Sequence, residues 1–130
     1  MVHVHFDMSA LRDNVDDILD KKVDTLYYDR VKNDAAGLYA QYIAKYVPYK
    51  TGRLLHSAKV NNGAVTYSAR VRRPGYTYDY ADIQYETPFP PESRSTPGTY
   101  DHWNTHLTRA ERESFYHDVA NLIVEEMNNG

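Results

Sequence analysis

The residues best suited to acid–base chemistry are four carboxylates in the second half of the chain. They are Asp79, Asp82, Glu86 and Asp101. Two carboxylates in different surroundings can divide the roles of general acid and general base. Nothing in their spacing indicates that any pair converges, and the serines lack the Gly-x-Ser-x-Gly context of a nucleophile. The pattern therefore favours charges on the water-facing side of strands and loops, and leaves a small cytoplasmic hydrolase as an alternative.

The six histidines are the candidate metal ligands. His102 and His106 lie four residues apart, a spacing that places two side chains on one helix face and occurs in zinc sites. In the metalloprotease motif a glutamate follows the first histidine, and Trp103 occupies that position here. No third ligand has a motif spacing. We therefore expect solvated histidines, no bound metal and no cofactor.

A basic and aromatic stretch is the candidate for nucleic-acid binding. It contains Arg70, Arg72, Arg73, Tyr76, Tyr78 and Tyr80. Cations combined with aromatic rings bind single-stranded nucleic acid. The net charge of −3 and the pI near 6.0 oppose that function, because a phosphate-binding domain is usually basic overall. The arginines also suit a soluble strand face or an acidic protein neighbour, and a nucleic-acid-binding regulator stays an alternative.

The length of 130 residues corresponds to one domain, and the chain contains no cysteine. Disulfides, thiolate zinc sites and cysteine nucleophiles are therefore excluded. No apolar run approaches the roughly 18 residues that a membrane helix requires. The first residues lack the basic start and the apolar stretch of a secretion signal. We expect a protein that stays in the cytoplasm where it is made and has no membrane partner.

Tyrosine is frequent, with 13 Tyr against 3 Phe. It combines an apolar ring with a hydroxyl that tolerates water, which makes it common where protein surfaces meet. The 13 tyrosines are too many to bury in a domain of this size with every hydroxyl satisfied. We therefore expect some of them to lie at contacts with other subunits.

The hydrophobic pattern predicts a single α+β domain, residues 1–130, with a long N-terminal helical segment, a small antiparallel sheet and a C-terminal helix packed on the sheet. Residues 1–47 contain a short strand at 2–6 and helical periodicity over 11–47, with two helices or a bend between 28 and 37. Residues 48–86 contain a turn capped by Thr51, an Asn62-Gly63 hairpin, a strand over 65–72, a Pro74-Gly75 turn and a strand over 80–85. Residues 87–107 form a proline-rich loop. Residues 108–127 form the last helix, which opens with a capping box of Thr108 and Glu111.

Two segments resemble the signature of a known family. The first reads Pro48-x-x-Thr51-Gly52-x-Leu54-x-x-Ser57 and stands between a predicted helix and a predicted strand. The second reads Tyr80-Ala81-Asp82-Ile83-Gln84-Tyr85-Glu86, and Pro97 and Trp103 then precede the last helix. In this order, over roughly residues 38–127, the segments are similar to minor capsid and tail-completion proteins, which join head to tail in long-tailed double-stranded DNA phages. Glu86 stands where that family often has glycine.

The resemblance implies a structural protein without catalysis, located in the neck of the virion and assembled in the host cytoplasm. Such proteins form rings of six or twelve copies and contact neighbouring neck, portal or tail-tube proteins. DNA passes through the ring without specific binding. The resemblance leaves open whether the chain is an adaptor, a stopper or a tail terminator. Ring closure needs a heterologous interface, in which two different patches of one subunit meet.

Two sets of residues are the candidate surfaces of such a ring. The candidate interface consists of Tyr76, Tyr78, Tyr80, Tyr85, Phe89 and Tyr100. The first four are assigned to a tyrosine-bearing strand and the last two to the proline-rich loop. The candidate channel-facing residues are Asp13, Asp16, Asp17 and Asp20. Their charge would repel phosphates and let the genome slide, although a solvated helix face explains the same pattern.

Overall fold

The computed structural model describes residues 1–7, 25–49, 51–90, 96 and 98–129, and these form an α+β fold. The strands are β1 (Val2–Val4), β2 (Lys59–Asn61), β3 (Ala64–Tyr67), β4 (Arg70–Arg73) and β5 (Tyr76–Asp79). The α-helices are α1 (Thr25–Ile43), α2 (Arg53–His56), α3 (Tyr80–Glu86) and α4 (Arg109–Asn129). Two 3-10 turns lie at Ala44–Tyr46 and Trp103–Thr105.

The two long helices, α1 and α4, pack against each other and cover the sheet. At four-residue steps α1 buries Val31, Ala35, Tyr39 and Ile43, and α4 buries Phe115, Val119 and Ile123. This spacing keeps the buried side chains on one face of each helix. At the start of α4, Thr108 and Glu111 bond each other's backbone N–H at 3.1 Å, so the predicted capping box is confirmed.

Of the two alternatives predicted for residues 28–37, two separate helices is wrong, because α1 continues without interruption from Thr25 to Ile43, and a bend stays a prediction. The apolar pattern weakens there because Ala35 and Ala36, both fully buried, occupy core positions where larger residues were expected. The predicted helix also began near residue 11, and residues 8–24 lie outside the described part of the chain. The helical segment ends in the 3-10 turn just before Pro48, which cannot donate a backbone hydrogen bond.

The first sheet has the order β1-β3-β2, and both pairings are antiparallel. Asn62 and Gly63 join β2 to β3 with φ angles of 51° and 78°, as a two-residue hairpin of the predicted type requires. The N–H of Gly63 donates to Asn33 Oδ1 at 3.0 Å, which ties the hairpin to α1. Val65 and Tyr67 of the central strand are fully buried.

The strand predicted over residues 65–72 is divided into β3 and β4 at Ser68 and Ala69. The N–H of Ser68 donates to Ser57 Oγ at 3.2 Å, and that of Ala69 donates to Asp79 Oδ1 at 2.8 Å. Because side chains accept these bonds, the chain leaves the first sheet and pairs next with β5 in a separate two-stranded sheet. The predicted turn at Pro74 and Gly75 connects the two strands of this second sheet.

The strand predicted over residues 80–85 is wrong, because this segment is the helix α3. Asp79 caps the helix, and its Oδ1 accepts from the N–H of Ala81 at 2.9 Å. Ala81 is buried and Tyr85, four residues later, packs against the core, while Ile83 is 41% exposed. A helix explains that pattern because residues four apart share a face.

Candidate functional site

Four of the six candidate interface residues lie at or beside one groove. Tyr78, Tyr80 and Phe89 line this groove, and the ring of Tyr76 stacks on that of Tyr78 with centroids 6.0 Å apart. Tyr76 is 61% exposed. The β4–β5 hairpin positions the two stacked rings, because residues 76 and 78 point to the same side of a strand.

The other two candidate interface residues, Tyr85 and Tyr100, make contacts within the domain. The ring of Tyr85 packs edge-on against the buried Trp103 at 4.8 Å, and its hydroxyl donates to Asn104 Oδ1 at 2.5 Å. The ring of Tyr100 stacks on His106 at 4.1 Å. The structure therefore brings together four members of the predicted set and places these two in the packing of the domain.

The groove has a volume of about 730 Å³ and lies between the turn at residues 48–54, the β4–β5 hairpin and α3. Its apolar and aromatic lining includes Leu54, Ala69, Val71, Tyr78, Tyr80 and Phe89. Among the described residues that line it, the charged side chains are Arg53 and Arg73. No carboxylate or histidine stands in that described lining, so the groove is better suited to holding part of another molecule than to proton transfer.

Sequence reasoning missed several members of the groove, including Tyr49, Arg53 and Gln84. Tyr49 and Arg53 lie inside the first family-like motif, between its signature residues. Gln84 was assigned to a strand, and residues 80 and 84 share a side in a strand as well as in a helix. The signals that could have found these residues are therefore the motif itself and the side that Gln84 shares with Tyr80.

The first motif forms one wall of the groove. Gly52 has φ +83°, and a Cβ there would stand 3.0 Å from the ring of Tyr49 and from His56. Glycine is therefore required both by the backbone angle and by the space. Gly52, and not Thr51, is the N-cap residue of α2, although Thr51 Oγ1 accepts a long bond of 3.4 Å from the N–H of Arg53.

Ser57, the last residue of that motif, connects this wall to the strands. Its hydroxyl donates to the carbonyl of Leu54 at 2.6 Å and accepts from the N–H of Ser68 at 3.2 Å. Leu54 itself is buried in the core. Two further residues of the resemblance, Ala81 and Trp103, are also fully buried. Most of the signature therefore builds the fold, and the turn at residues 48–54 also shapes the groove.

Asp79 is a structural carboxylate at the junction of β3, β5 and α3. Burial raises its pKa, but hydrogen bonds from the N–H of Ala69, the Met1 ammonium, the hydroxyl of Ser68 and the N–H of Ala81 outweigh burial and lower the pKa to about 2. A carboxyl that stays ionised to such low pH is a poor proton donor. Asp79 therefore caps α3 and anchors the backbone at Ala69, and it does not fit the role of general acid.

The other three carboxylates that were considered for acid–base chemistry lie outside the groove lining. Asp82 Oδ1 is 2.7 Å from the Met1 ammonium. Glu86 and Asp101 both approach His102, at 3.6 Å from Nε2 and 2.8 Å from Nδ1. His102 and His106 flank a 3-10 turn and do not share an α-helical face. In the described ranges, no group of three or more His, Cys, Asp or Glu is arranged to hold a metal ion.

The arginines and tyrosines of the second sheet are divided between its two faces. Directly paired residues share a face, and the pairs are Val71 with Tyr78, Arg73 with Tyr76, Arg70 with Asp79 and Arg72 with Thr77. Arg73 therefore shares a face with the stacked tyrosines, whereas Arg70 and Arg72 lie on the opposite face. The basic and aromatic face that was considered as an alternative for nucleic acid is therefore not continuous.

The candidate channel-facing residues, Asp13, Asp16, Asp17 and Asp20, lie outside the described residues, and so does Pro97 of the resemblance. Within the described part of the chain, no helix combines the length and the apolar character needed to cross a membrane. The position of the four aspartates in an assembly stays a prediction.

Comparisons with known proteins find no match among protein-family models, curated proteins or solved structures. Function is therefore inferred from the residues of this chain. The features that bear on it are the aromatic groove, the motif that forms its wall, and the stacked pair of Tyr78 in the lining and the exposed Tyr76 beside it.

Proposed function

We propose that the protein is a non-enzymatic structural component of a long-tailed phage virion, part of the neck that joins head to tail. It works as one subunit of a ring of six or twelve copies, in contact with neighbouring neck, portal or tail-tube proteins. DNA passes through the ring without specific binding. The observation that carries the proposal is that the first motif, residues 48–57, supplies both a closely packed turn of the fold and one wall of the aromatic groove.

The exposed aromatic surface supports a role in assembly. Tyr76 and Tyr49 are 61% and 43% exposed, and Tyr49 lines the groove while Tyr76 stacks on a residue that does. Tyrosine is enriched at protein interfaces because its ring supplies contact area and its hydroxyl remains hydrated before binding. A surface of this kind is useful to a subunit whose work is done by contacts.

The titration behaviour of the carboxylates supports a role without catalysis. In the described part of the chain, two carboxyl groups have pKa values moved far from normal, and both pKa values fall to about 2. For Glu111 the causes are Lys45 Nζ at 2.6 Å, the hydroxyl of Tyr46 at 2.5 Å and the capping bond at Thr108. A general acid near neutral pH needs a raised pKa, so these groups fit structural ion pairs.

The alternative of a small hydrolase would have to use His102 with Glu86 and Asp101. These three side chains are 43%, 71% and 26% exposed and none of them lines the groove. A nucleic-acid-binding regulator would have to use the arginines of the second sheet, which lie on both of its faces. Both alternatives thus lack a single surface that gathers the residues they need.

A stop codon placed early in this gene, in the phage or prophage that carries it, tests the proposal. Electron microscopy of the induced lysate is expected to show DNA-filled heads separate from tails. A silent substitution at the same codon is the matched control, and purified protein added to the lysate should restore joined particles. Normal infectious particles from the stop mutant would contradict the structural role.

A further inference from the structure

The charges of the chain are segregated along the sequence. Residues 35–78 contain four arginines and three lysines and no carboxylate, so this stretch contributes +7. The rest of the chain must then contribute −10 to give the net charge of −3. The cationic stretch supplies most of the groove, from Pro48 to Tyr78, whereas α3 carries carboxylates. Copies of a chain with this distribution attract one another when the cationic part of one faces the acidic part of the next.

The groove contains two arginines that no described carboxylate neutralises. Within the described ranges, no carboxylate lies within ion-pair distance of Arg53 or Arg73. Arg53 donates instead to the carbonyl of Arg70 at 2.5 Å. Most of the other described lining residues are apolar or aromatic. The complement of such a groove is an apolar side chain flanked by carboxylates.

The outer face of α3 has this complementary chemistry. Ile83 is 41% exposed, and Asp82 and Glu86 next to it have side chains that are 51% and 71% exposed. Each residue of an α-helix is rotated by about 100° from the one before it. Tyr80 and Gln84 face the groove, so Asp82 and Glu86 lie on the opposite side of the same helix. We call Asp82, Ile83 and Glu86 the acidic ridge.

We propose that the groove of one subunit binds the acidic ridge of a second copy of this chain. Ile83 of the second copy contacts the apolar lining, and Glu86 of that copy pairs with Arg73. Asp82, which also bonds the Met1 ammonium of its own chain at 2.7 Å, faces Arg53. Groove and ridge lie on opposite sides of α3, so each bound copy offers its own groove or ridge to another. Such a heterologous contact can close into a ring. The inference rests on the proposed function in one respect, because it identifies this ring with the ring in the phage neck.

Sedimentation velocity of the purified full chain, up to about 1 mM, tests the contact. The wild type is expected to form species larger than a dimer. Arg73→Glu and Glu86→Arg should each weaken association by about tenfold or more, because like charges then meet at the contact. An equimolar mixture of the two variants should recover association, since every groove then meets a ridge of opposite charge in an alternating ring.

Matched controls separate this contact from a general effect of charge. Arg72→Glu changes the neighbouring residue on the other face of the hairpin, and Glu125→Arg changes an exposed glutamate on α4. Both should associate as the wild type does. Far-UV circular dichroism and the denaturation midpoint check folding, and recovery on mixing excludes misfolding as the cause of lost association.

Two results for the wild type would overturn the inference: a monomer at about 1 mM, or a closed dimer as the largest species. Two results for the variants would also overturn it: association of Arg72→Glu as weak as that of Arg73→Glu, or no recovery of association when Arg73→Glu and Glu86→Arg are mixed. A labelled single-stranded oligonucleotide that binds the wild type but not Arg73→Glu, without self-association, would assign the groove to nucleic acid instead. This experiment uses purified protein, so a negative result would overturn the contact and leave the neck role untouched. Normal particles from the stop mutant would instead overturn the neck role and leave the contact untouched.

Discussion

Tyrosines serve two different purposes in two regions of this molecule. Between the helices, the hydroxyl of Tyr42 donates to Asp118 at 2.7 Å and that of Tyr46 donates to Glu111 at 2.5 Å. On the second sheet, Tyr76 and Tyr78 stack on each other, and neither hydroxyl has a hydrogen bond to another described residue. The first group stabilises the fold, whereas the second group offers contact area that the isolated domain does not use. The same residue type therefore stabilises the fold in one region, and we propose that it serves association in the other.

The largest expected difference between the two regions is seen on truncation to alanine. Tyr39 is 6% exposed and packs against Phe6 and Phe115, so Tyr39→Ala should lower the free energy of unfolding by about 3–5 kcal/mol. Tyr76→Ala removes an exposed ring and should change the free energy of unfolding by no more than about 0.5 kcal/mol. Urea denaturation measures both. Equal losses for the two variants would abolish the distinction between the regions.

The wall of the groove depends on one glycine. Gly52→Ala places a Cβ at φ +83° and 3.0 Å from Tyr49, so we expect a loss of about 1–3 kcal/mol in the free energy of unfolding. The control is Gly37→Ala in α1, where nothing lies within 4 Å of the added Cβ. That change should stabilise the protein by about 0.5–1 kcal/mol. Thermal denaturation of the two variants should give shifts of opposite sign, and shifts of the same sign would contradict this account of the wall.

The pH dependence of the free energy of unfolding should reveal the hydrogen bonds that Asp79 accepts. The pKa of Asp79 is about 2 in the folded protein against 3.8 normally, so the folded state binds fewer protons than the unfolded state between these values. The stabilisation is complete above about pH 5 and is lost progressively as the pH falls through about 2. Asp79→Asn should cost about 2 kcal/mol at neutral pH, and most of this cost should be gone below about pH 2. A constant difference between wild type and variant at all pH values would rule out this cause.

The smallest expected effects come from removing single hydroxyls. Tyr42→Phe loses a hydrogen bond to a carboxylate and should cost about 1–2 kcal/mol. Tyr67 is fully buried, and no described residue gives its hydroxyl a hydrogen bond of normal geometry, although the side chain of Trp103 lies close to it. Tyr67→Phe should therefore be neutral or slightly stabilising. Denaturation curves that rank these two variants in the reverse order would show that the hydroxyl of Tyr67 has a stabilising partner.

Local sequence signals predicted the elements whose causes are local. The Asn62-Gly63 turn and the Thr108 and Glu111 capping box depend on neighbouring residues, and both formed as expected. The division between β3 and β4 depends on Ser57 and Asp79, which lie about ten residues away on either side. An alternating pattern alone cannot indicate that distant side chains will take the backbone hydrogen bonds of a strand.

The helix α3 shows why the groove was only partly predicted. The apolar residues Ala81, Ile83 and Tyr85 alternate, and over so few residues a strand and a short helix fit the same pattern. In the structure Asp79 caps the helix, a role that aspartate often has but that was not predicted for this residue. The inward placement of Tyr85 and Tyr100 depends on packing against Trp103 and His106, which the sequence pattern does not contain.

Complementation of the stop-codon phage tests the central claim most directly. Plasmids would supply the wild type, a Tyr76→Ala and Tyr78→Ala double variant, or Tyr42→Phe as the helix-region control, with soluble folded protein checked for each. We expect the wild type and the control to restore joined particles in electron micrographs, and the double variant to leave heads and tails apart. Equal restoration by the double variant would contradict the claim that the tyrosines beside the groove serve assembly.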